Sequence, residues 1–231
     1  MKKKILILGG SSDIGQEIAR KLLIKNIYDV NLHYNSNKKI IKNYKNKCNL
    51  IKADLSNINS KSVLKKFDKN YDIIINLVGY LDNQLFENFK VEEFYKTINI
   101  NSLIPLLIIR NSLKHMKKNK FGRVINTSSI GVKFGGGEKT YLYSLSKHIN
   151  EFIPSYIRKL SNKNILYNCL RIGVVDTKLH KKIKNKNIAK RINLIPVKRM
   201  AKTKEISDFI VYLVNENSFI NNDVINITGG E

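Results

Sequence analysis

Short, unbroken apolar runs separated by longer amphipathic stretches recur along this chain, and that alternation leaves few folds open to it. Ile5 to Leu8 is such a run, ending in Gly9 and Gly10; four consecutive apolar residues suit a strand covered on both faces, as in a parallel sheet. A helix is expected next, because Ile14, Ile18, Leu22 and Leu23 repeat at helical spacing through Lys25, with Asn26 as its stop. The pattern predicts strands at Tyr28 to Tyr34, Asn49 to Ala53, Asp72 to Val78, Arg123 to Thr127, Ile165 to Leu170 and Val224 to Ile227. It places helices up to about Lys47, at Ser60 to Phe67, Val91 to Met116, Tyr141 to Leu160 and Thr203 to Asn215, and a basic loop at Lys178 to Asn193. Strand and helix in turn imply right-handed crossovers and an α/β, Rossmann-type, doubly wound parallel sheet of about seven strands with helices on both faces. The 231 residues show no linker or repeat, so 1–231 reads as a single domain.

Net charge matters because a surplus of +24 invites polyanions. The 35 lysines, 30 asparagines and 34 isoleucines share A/T-rich codons, however, and the lysines are scattered without interleaved aromatic residues that could stack bases. Neither nucleic acid nor membrane is therefore expected as a partner. Cys48 and Cys169 stand far apart, and His33, His115, His148 and His180 lack ligand spacing, so reduced thiols, a cytoplasmic location and no metal are expected. No run reaches membrane-spanning length.

In a sheet of this kind, ligands bind beyond the carboxyl ends of the strands. Gly9, Ser11, Ser12, Asp13, Ile14 and Gly15 lie between the first strand and first helix, where small residues let a pyrophosphate approach the helix amino end. The second strand ends in Tyr34, Asn35 and Ser36, and no acidic residue occurs from Val30 to Ala53, while Lys38 and Lys39 follow. A carboxylate there would hold the ribose hydroxyls and repel a 2′-phosphate, so its absence favours NADP(H) over NAD(H). Asp54 and Leu55 follow the third strand, where Asp54 either meets the adenine edge or caps a turn. Tyr143 and Lys147 are four apart on a predicted helix and so share a face. A phenol titrating near ~10 becomes a usable acid or base beside an ammonium. Ser129 precedes Tyr143 by fourteen residues at the end of a strand, and Asn76 to Gly79, Asn99 and Asn101 add amides near the same edge.

This ordered set resembles the short-chain dehydrogenase/reductase family in its single-domain branch, similar to the 3-oxoacyl-carrier-protein reductases, over Lys4 to Glu231. Gly9 to Gly15 resembles the family's TGxxxGxG turn, Asn76, Val78 and Gly79 its NNAG segment, and Tyr143 with Lys147 its YxxxK pair. Gly173, Val175 and Thr177 fall in a segment similar to PGxxxT, which meets the nicotinamide. The resemblance implies that Ser129 binds the carbonyl, Tyr143 donates the proton, Lys147 lowers the tyrosine pKa and holds ribose, and Asn101 anchors a relay water, with Asn99 the alternative. It also implies a homodimer or homotetramer and a small or carrier-bound carbonyl substrate, either a 3-oxoacyl thioester or a sugar of a polysaccharide pathway. The lysines at 178, 181, 182, 184, 186 and 190, with Arg191, are compatible with an acidic substrate. A binder of NADP(H) that does not turn over is the alternative. Leu8, Asp13, Leu77 and Ile172 depart from the family pattern without removing a catalytic group, and Pro154 predicts a kink downstream of Lys147.

Overall fold

A computed structural model describes residues 2–37, 39–57, 60–178 and 187–231. Lys38 and the lysines at 181, 182, 184 and 186, with His180, lie outside the described residues. The strands are β1 (Lys3–Leu8), β2 (Tyr28–Tyr34), β3 (Asn49–Lys52), β4 (Ile73–Asn76), β5 (Gly122–Ser129), β6 (Ile165–Ile172) and β7 (Val224–Ile227). They form one parallel sheet in the order β3-β2-β1-β4-β5-β6-β7. The chain runs outward from β1 to β3 and then returns to lay β4 against β1, which opens a crevice above the carboxyl ends of β1 and β4.

The period of two within a strand sorts the core. Ile5 and Ile7 of β1 join Ile18 and Leu22 of α1 (Asp13–Lys25) on one face, whereas Leu6 and Leu8 join the cluster on the other. Both sets are fully buried, which explains why the run is continuously apolar rather than alternating. Asn26 ends α1 in the left-handed region at φ 51°, with its N–H on the Leu23 carbonyl.

The second half departs from the simple pattern in three places. The predicted helix from 91 is α4 (Val91–Ile98), a π-helical turn at Asn99–Leu103, and α5 (Ile104–Asn119). Pro105 has no N–H to offer the Asn101 carbonyl four residues back, so the α ladder is interrupted there and Ile104 N–H bonds Asn99 O instead. Where a kink was expected, the helix α6 (Tyr141–Glu151) stops outright. Phe152 and Pro154 are extended, because proline disfavours a helical predecessor and cannot continue the ladder, and α7 (Ser155–Arg158) restarts beyond them. Within the expected basic loop, Ile188–Asn193 is a helix, α8, capped by the Asn187 side chain on Lys190 N–H. α9 (Thr203–Asn215) and β7 fall at their predicted bounds. α2 (Lys39–Tyr44) and α3 (Ser60–Leu64) are shorter than predicted; for α2, whose predicted span holds Asn43 and Asn46, this is in keeping with the poor helix propensity of asparagine. Among the described residues no helix is long and apolar enough to cross a membrane, and no cluster of three metal-ligating side chains occurs.

Candidate active site

A cleft of about 1340 Å³ opens at the switch in strand order. Its floor is the turn between β1 and α1. Gly9 takes φ +73°, and a Cβ there would stand 3.0 Å from the Leu77 carbonyl; at Gly15 it would stand 2.8 Å from Gly9 O. Both positions exclude any side chain. Ser12 caps α1, its hydroxyl accepting from Gly15 N–H at 3.1 Å, and its carbonyl takes Gln16 N–H. The first N–H groups of α1, on Asp13 and Ile14, have no carbonyl one turn back within the helix and carry its partial positive charge.

Gly9, Ser11, Ser12, Asp13 and Ile14 line the cleft, as do Tyr34, Asn35, Ser36, Asp54 and Leu55 from the ends of β2 and β3. Val78, Gly79, Gly173, Val175 and Thr177 line it from the ends of β4 and β6. Two expected cofactor ligands do not. Gly15 lies beneath the turn, and Asn76 is fully buried, its amide donating to Asn126 Oδ1 at 2.7 Å and accepting from Val78 N–H at 3.2 Å. Asn76 therefore shapes the strand end from below. Asp54 does cap a turn, accepting from Ser56 N–H at 2.9 Å and from its hydroxyl at 2.7 Å. Asp13, which departs from the family's glycine pattern, is engaged by Lys178: backbone N–H at 2.9 Å and ammonium at 3.2 Å.

Ser129, Tyr143 and Lys147 meet on the same cleft wall. Ser129 ends β5, its oxygen accepts from Gly131 N–H at 3.2 Å, and it stands near enough to the Tyr143 phenol to favour the ionised form. The Lys147 ammonium is buried and donates to Val78 O at 2.7 Å and Thr127 O at 3.1 Å, standing 5.7 Å from the centre of the Tyr143 ring. Burial lowers Lys147 to about 8 and pushes the Tyr143 phenol up to about 12, with Ser129 opposing the latter. At the tyrosine, desolvation outweighs the Ser129 contribution, and the lysine ammonium donates to two carbonyls. Asn101 lies behind the wall rather than on it. Its side chain is held by Tyr80 N–H at 2.7 Å, Tyr80 O at 3.1 Å and Ser146 Oγ at 2.9 Å. Its carbonyl, freed by Pro105, accepts from Asn150 Nδ2 at 3.0 Å, and Asn150 also donates to Thr127 O at 3.2 Å. Asn99 is likewise buried in the π turn and off the cleft.

His33, Asn37 and Thr127 line the cleft without having been expected there. Asn37 Nδ2 donates to Ser11 O at 3.3 Å, bracing the glycine turn. The one signal in the sequence was polarity at the end of an otherwise apolar strand.

Residues 3–188 match the family model described as short chain dehydrogenase. The 3-oxoacyl-[acyl-carrier-protein] reductase FabG of Buchnera aphidicola is 30% identical, over 99% of this chain and 97% of that protein. Among solved structures, ElxO with NADP bound is 28% identical, with a TM-score of 0.81 over 100% of this chain and 98% of that one. A short chain dehydrogenase/reductase family protein superposes with a TM-score of 0.84 at 19% identity, covering 99% of this chain and 96% of its own, a likeness of fold. The glycine turn, the tyrosine-lysine pair and these similarities together make this chain an oxidoreductase of the short-chain dehydrogenase/reductase family.

Proposed function

We propose that the chain reduces a carbonyl to an alcohol, or runs the reverse oxidation, with NADP(H) as its cofactor. The observation that carries this reading is the placement of Ser129, Tyr143 and Lys147 on the wall of the cleft whose floor is the glycine turn. The two glycine positions that no Cβ can occupy and the open N–H groups of α1 fit a pyrophosphate. When bound, the nicotinamide supplies or accepts the hydride. Ser129, oriented by Gly131, offers its hydrogen to the substrate oxygen. Tyr143, protonated at neutral pH, delivers a proton to that oxygen as charge develops on it. Lys147, fixed by Val78 and Thr127, sets a positive charge beside the phenol and a donor for ribose. Gly79, Gly173, Val175 and Thr177 flank the nicotinamide end.

Preference for NADP(H) is supported by Asn35, Ser36 and Asn37, which present amides and a hydroxyl rather than a carboxylate after β2, and by the similarity to an NADP-bound structure. For the substrate, a 3-oxoacyl thioester is favoured over an acidic sugar. The remaining lining includes Leu81, Ile130, Phe134, Leu194 and Pro196, and among the described residues the two cations that the 178–193 segment contributes to it are already paired, Lys178 with Asp13 and Arg191 with Glu231. Assembly as a homodimer or homotetramer is supported by exposed Leu103, Leu106, Ile149, Phe152 and Tyr156 on or beside α5, α6 and α7. One catalytic domain, working in the cytoplasm with free Cys48 and Cys169, completes the reading.

Fluorescence titration with NADPH and NADH, followed by turnover on an acetoacetyl thioester and a keto-sugar panel, tests it. NADPH binding with thioester reduction that vanishes in Tyr143→Phe is expected. Binding without turnover on any carbonyl makes the chain a cofactor sensor, and binding of neither cofactor overturns the reading.

A further inference from the structure

His33 is the penultimate residue of β2, buried to 4% exposure, and it lies between the ends of three strands. Its Nδ1 accepts from Gly9 N–H at 3.1 Å, at the end of β1, and its Nε2 stands 3.1 Å from Ala53 O, beyond β3. A carbonyl can only accept, so Nε2 carries the hydrogen and Nδ1 the lone pair. The main-chain carbonyl of the same residue takes Gly10 N–H at 2.9 Å. One residue therefore holds two successive amides of the glycine turn, one with its ring and one with its backbone. Across the turn, Gly9 is already pressed to the Leu77 carbonyl. Phe67 lies 5.7 Å from the imidazole, ring centre to ring centre, and limits its rotation.

We infer that His33 is a positioning residue for the dinucleotide: its imidazole sets the Gly9 turn at the distance from α1 at which the pyrophosphate is received. The inference rests on the cofactor reading above. A buried polar side chain is stable only when its hydrogen-bonding groups are satisfied, and both ring nitrogens of His33 are satisfied by the turn it supports and the strand behind it. Burial lowers its pKa to about 4, so the lone pair on Nδ1 stays available to Gly9 at physiological pH. With the Gly9 amide so occupied, the N–H groups of Asp13 and Ile14 are left for phosphate.

Three variants separate positioning from packing. In His33→Asn the carboxamide oxygen stands where Nδ1 stood and keeps the Gly9 bond while losing the Ala53 bond; His33→Gln reaches Ala53 and leaves Gly9; His33→Leu loses both. The expected result is an NADPH KM within about threefold of wild type for His33→Asn and raised about tenfold for the other two, with kcat and the carbonyl KM unchanged in all three. An unchanged NADPH KM in His33→Leu overturns the inference, and so does an equal loss of kcat in His33→Asn and His33→Gln, which is the mark of general damage to the sheet. If His33→Leu does not fold, the Asn and Gln pair decides alone, and nitrogen NMR of the wild-type chain reads the tautomer directly: Nδ1–H instead of Nε2–H overturns the geometry. Wild-type chain that fails to bind NADPH defeats the cofactor reading; wild-type binding with an indifferent Gln variant defeats the His33 role only.

Discussion

The two sides of the cleft are built by different means. The glycine-turn side is backbone: a turn with two positions closed to any side chain, capped by Ser12 and braced by His33 and Asn37, so its shape is set by sterics and hydrogen bonds. The side beyond β6 is fastened by charge. Lys178, with 78% of its side chain exposed, holds Asp13, and Arg191 holds the nearly buried Glu231 at 2.7 Å. Steric closure tolerates almost no substitution, whereas the exposed Lys178–Asp13 pair contributes roughly 0–1 kcal/mol and responds to salt, and the mostly buried Arg191–Glu231 pair is screened less. One side is rigid, and the other is adjustable.

The sharpest break of that contrast is chemical. Tyr143→Phe removes the phenolic proton beside Ser129, and kcat is expected to fall about 100- to 10,000-fold while NADPH titrates as before; stopped-flow oxidation of NADPH measures it. On the rigid side, Gly15→Ala drives a methyl group to 2.8 Å from Gly9 O and is expected to cost about 1–3 kcal/mol in urea unfolding and to weaken NADPH binding in parallel.

The pH dependence of stability comes next. Lys147 titrates near 8 in the fold against 10.5 for the free side chain, so between those values the unfolded chain binds more protons and stability rises with pH. Tyr143, shifted from 10.0 to about 12, has the opposite effect above pH 10, because there the unfolded chain has already lost a proton that the fold keeps. Cys48 and Cys169, pushed up by burial from 9.0 to about 11 and about 12, oppose the gain once pH passes 9, so the Lys147 contribution is read as the stability difference between wild type and Lys147→Met in urea melts of the cofactor-free chain, expected to move in favour of wild type by about 2 kcal/mol from pH 8 to 10; a difference that does not change with pH refutes the assignment. The smallest effect belongs to the adjustable side. Glu231→Gln frees Arg191, and the KM for an acidic carbonyl compound is expected to drop about three- to tenfold in low salt, with that for a neutral one nearly unmoved.

The same contrast explains what could be read from the chain beforehand. Periodicity located β2, β7 and α9 at their ends because each is bounded by a sharp change of pattern, and Asn26 was legible as a stop because asparagine accepts the left-handed conformation it adopts. The glycine turn, Ser129, Tyr143 and Lys147 were legible because their chemistry is local or separated by one helical turn. Asp13 and Lys178, separated by 165 residues, carry no local mark of their pairing. Asn76 belongs to a strand ending that resembles the family's NNAG segment, but its side chain turns down to Asn126, fifty residues away, and carries no local mark of that pairing. His33 offered only its polarity, since the carbonyl and the amide that it joins belong to other strands.

Pro105 shows how far a local absence reaches. One hydrogen missing from a backbone nitrogen leaves the Asn101 carbonyl unclaimed in its own helix, and Asn150, forty-nine residues later, takes it up together with the carbonyl on which Lys147 sits. The orientation of the helix that bears Tyr143 and Lys147 is thereby written partly in an imino acid on another helix, and both side chains inherit their alignment from a bond that cannot form.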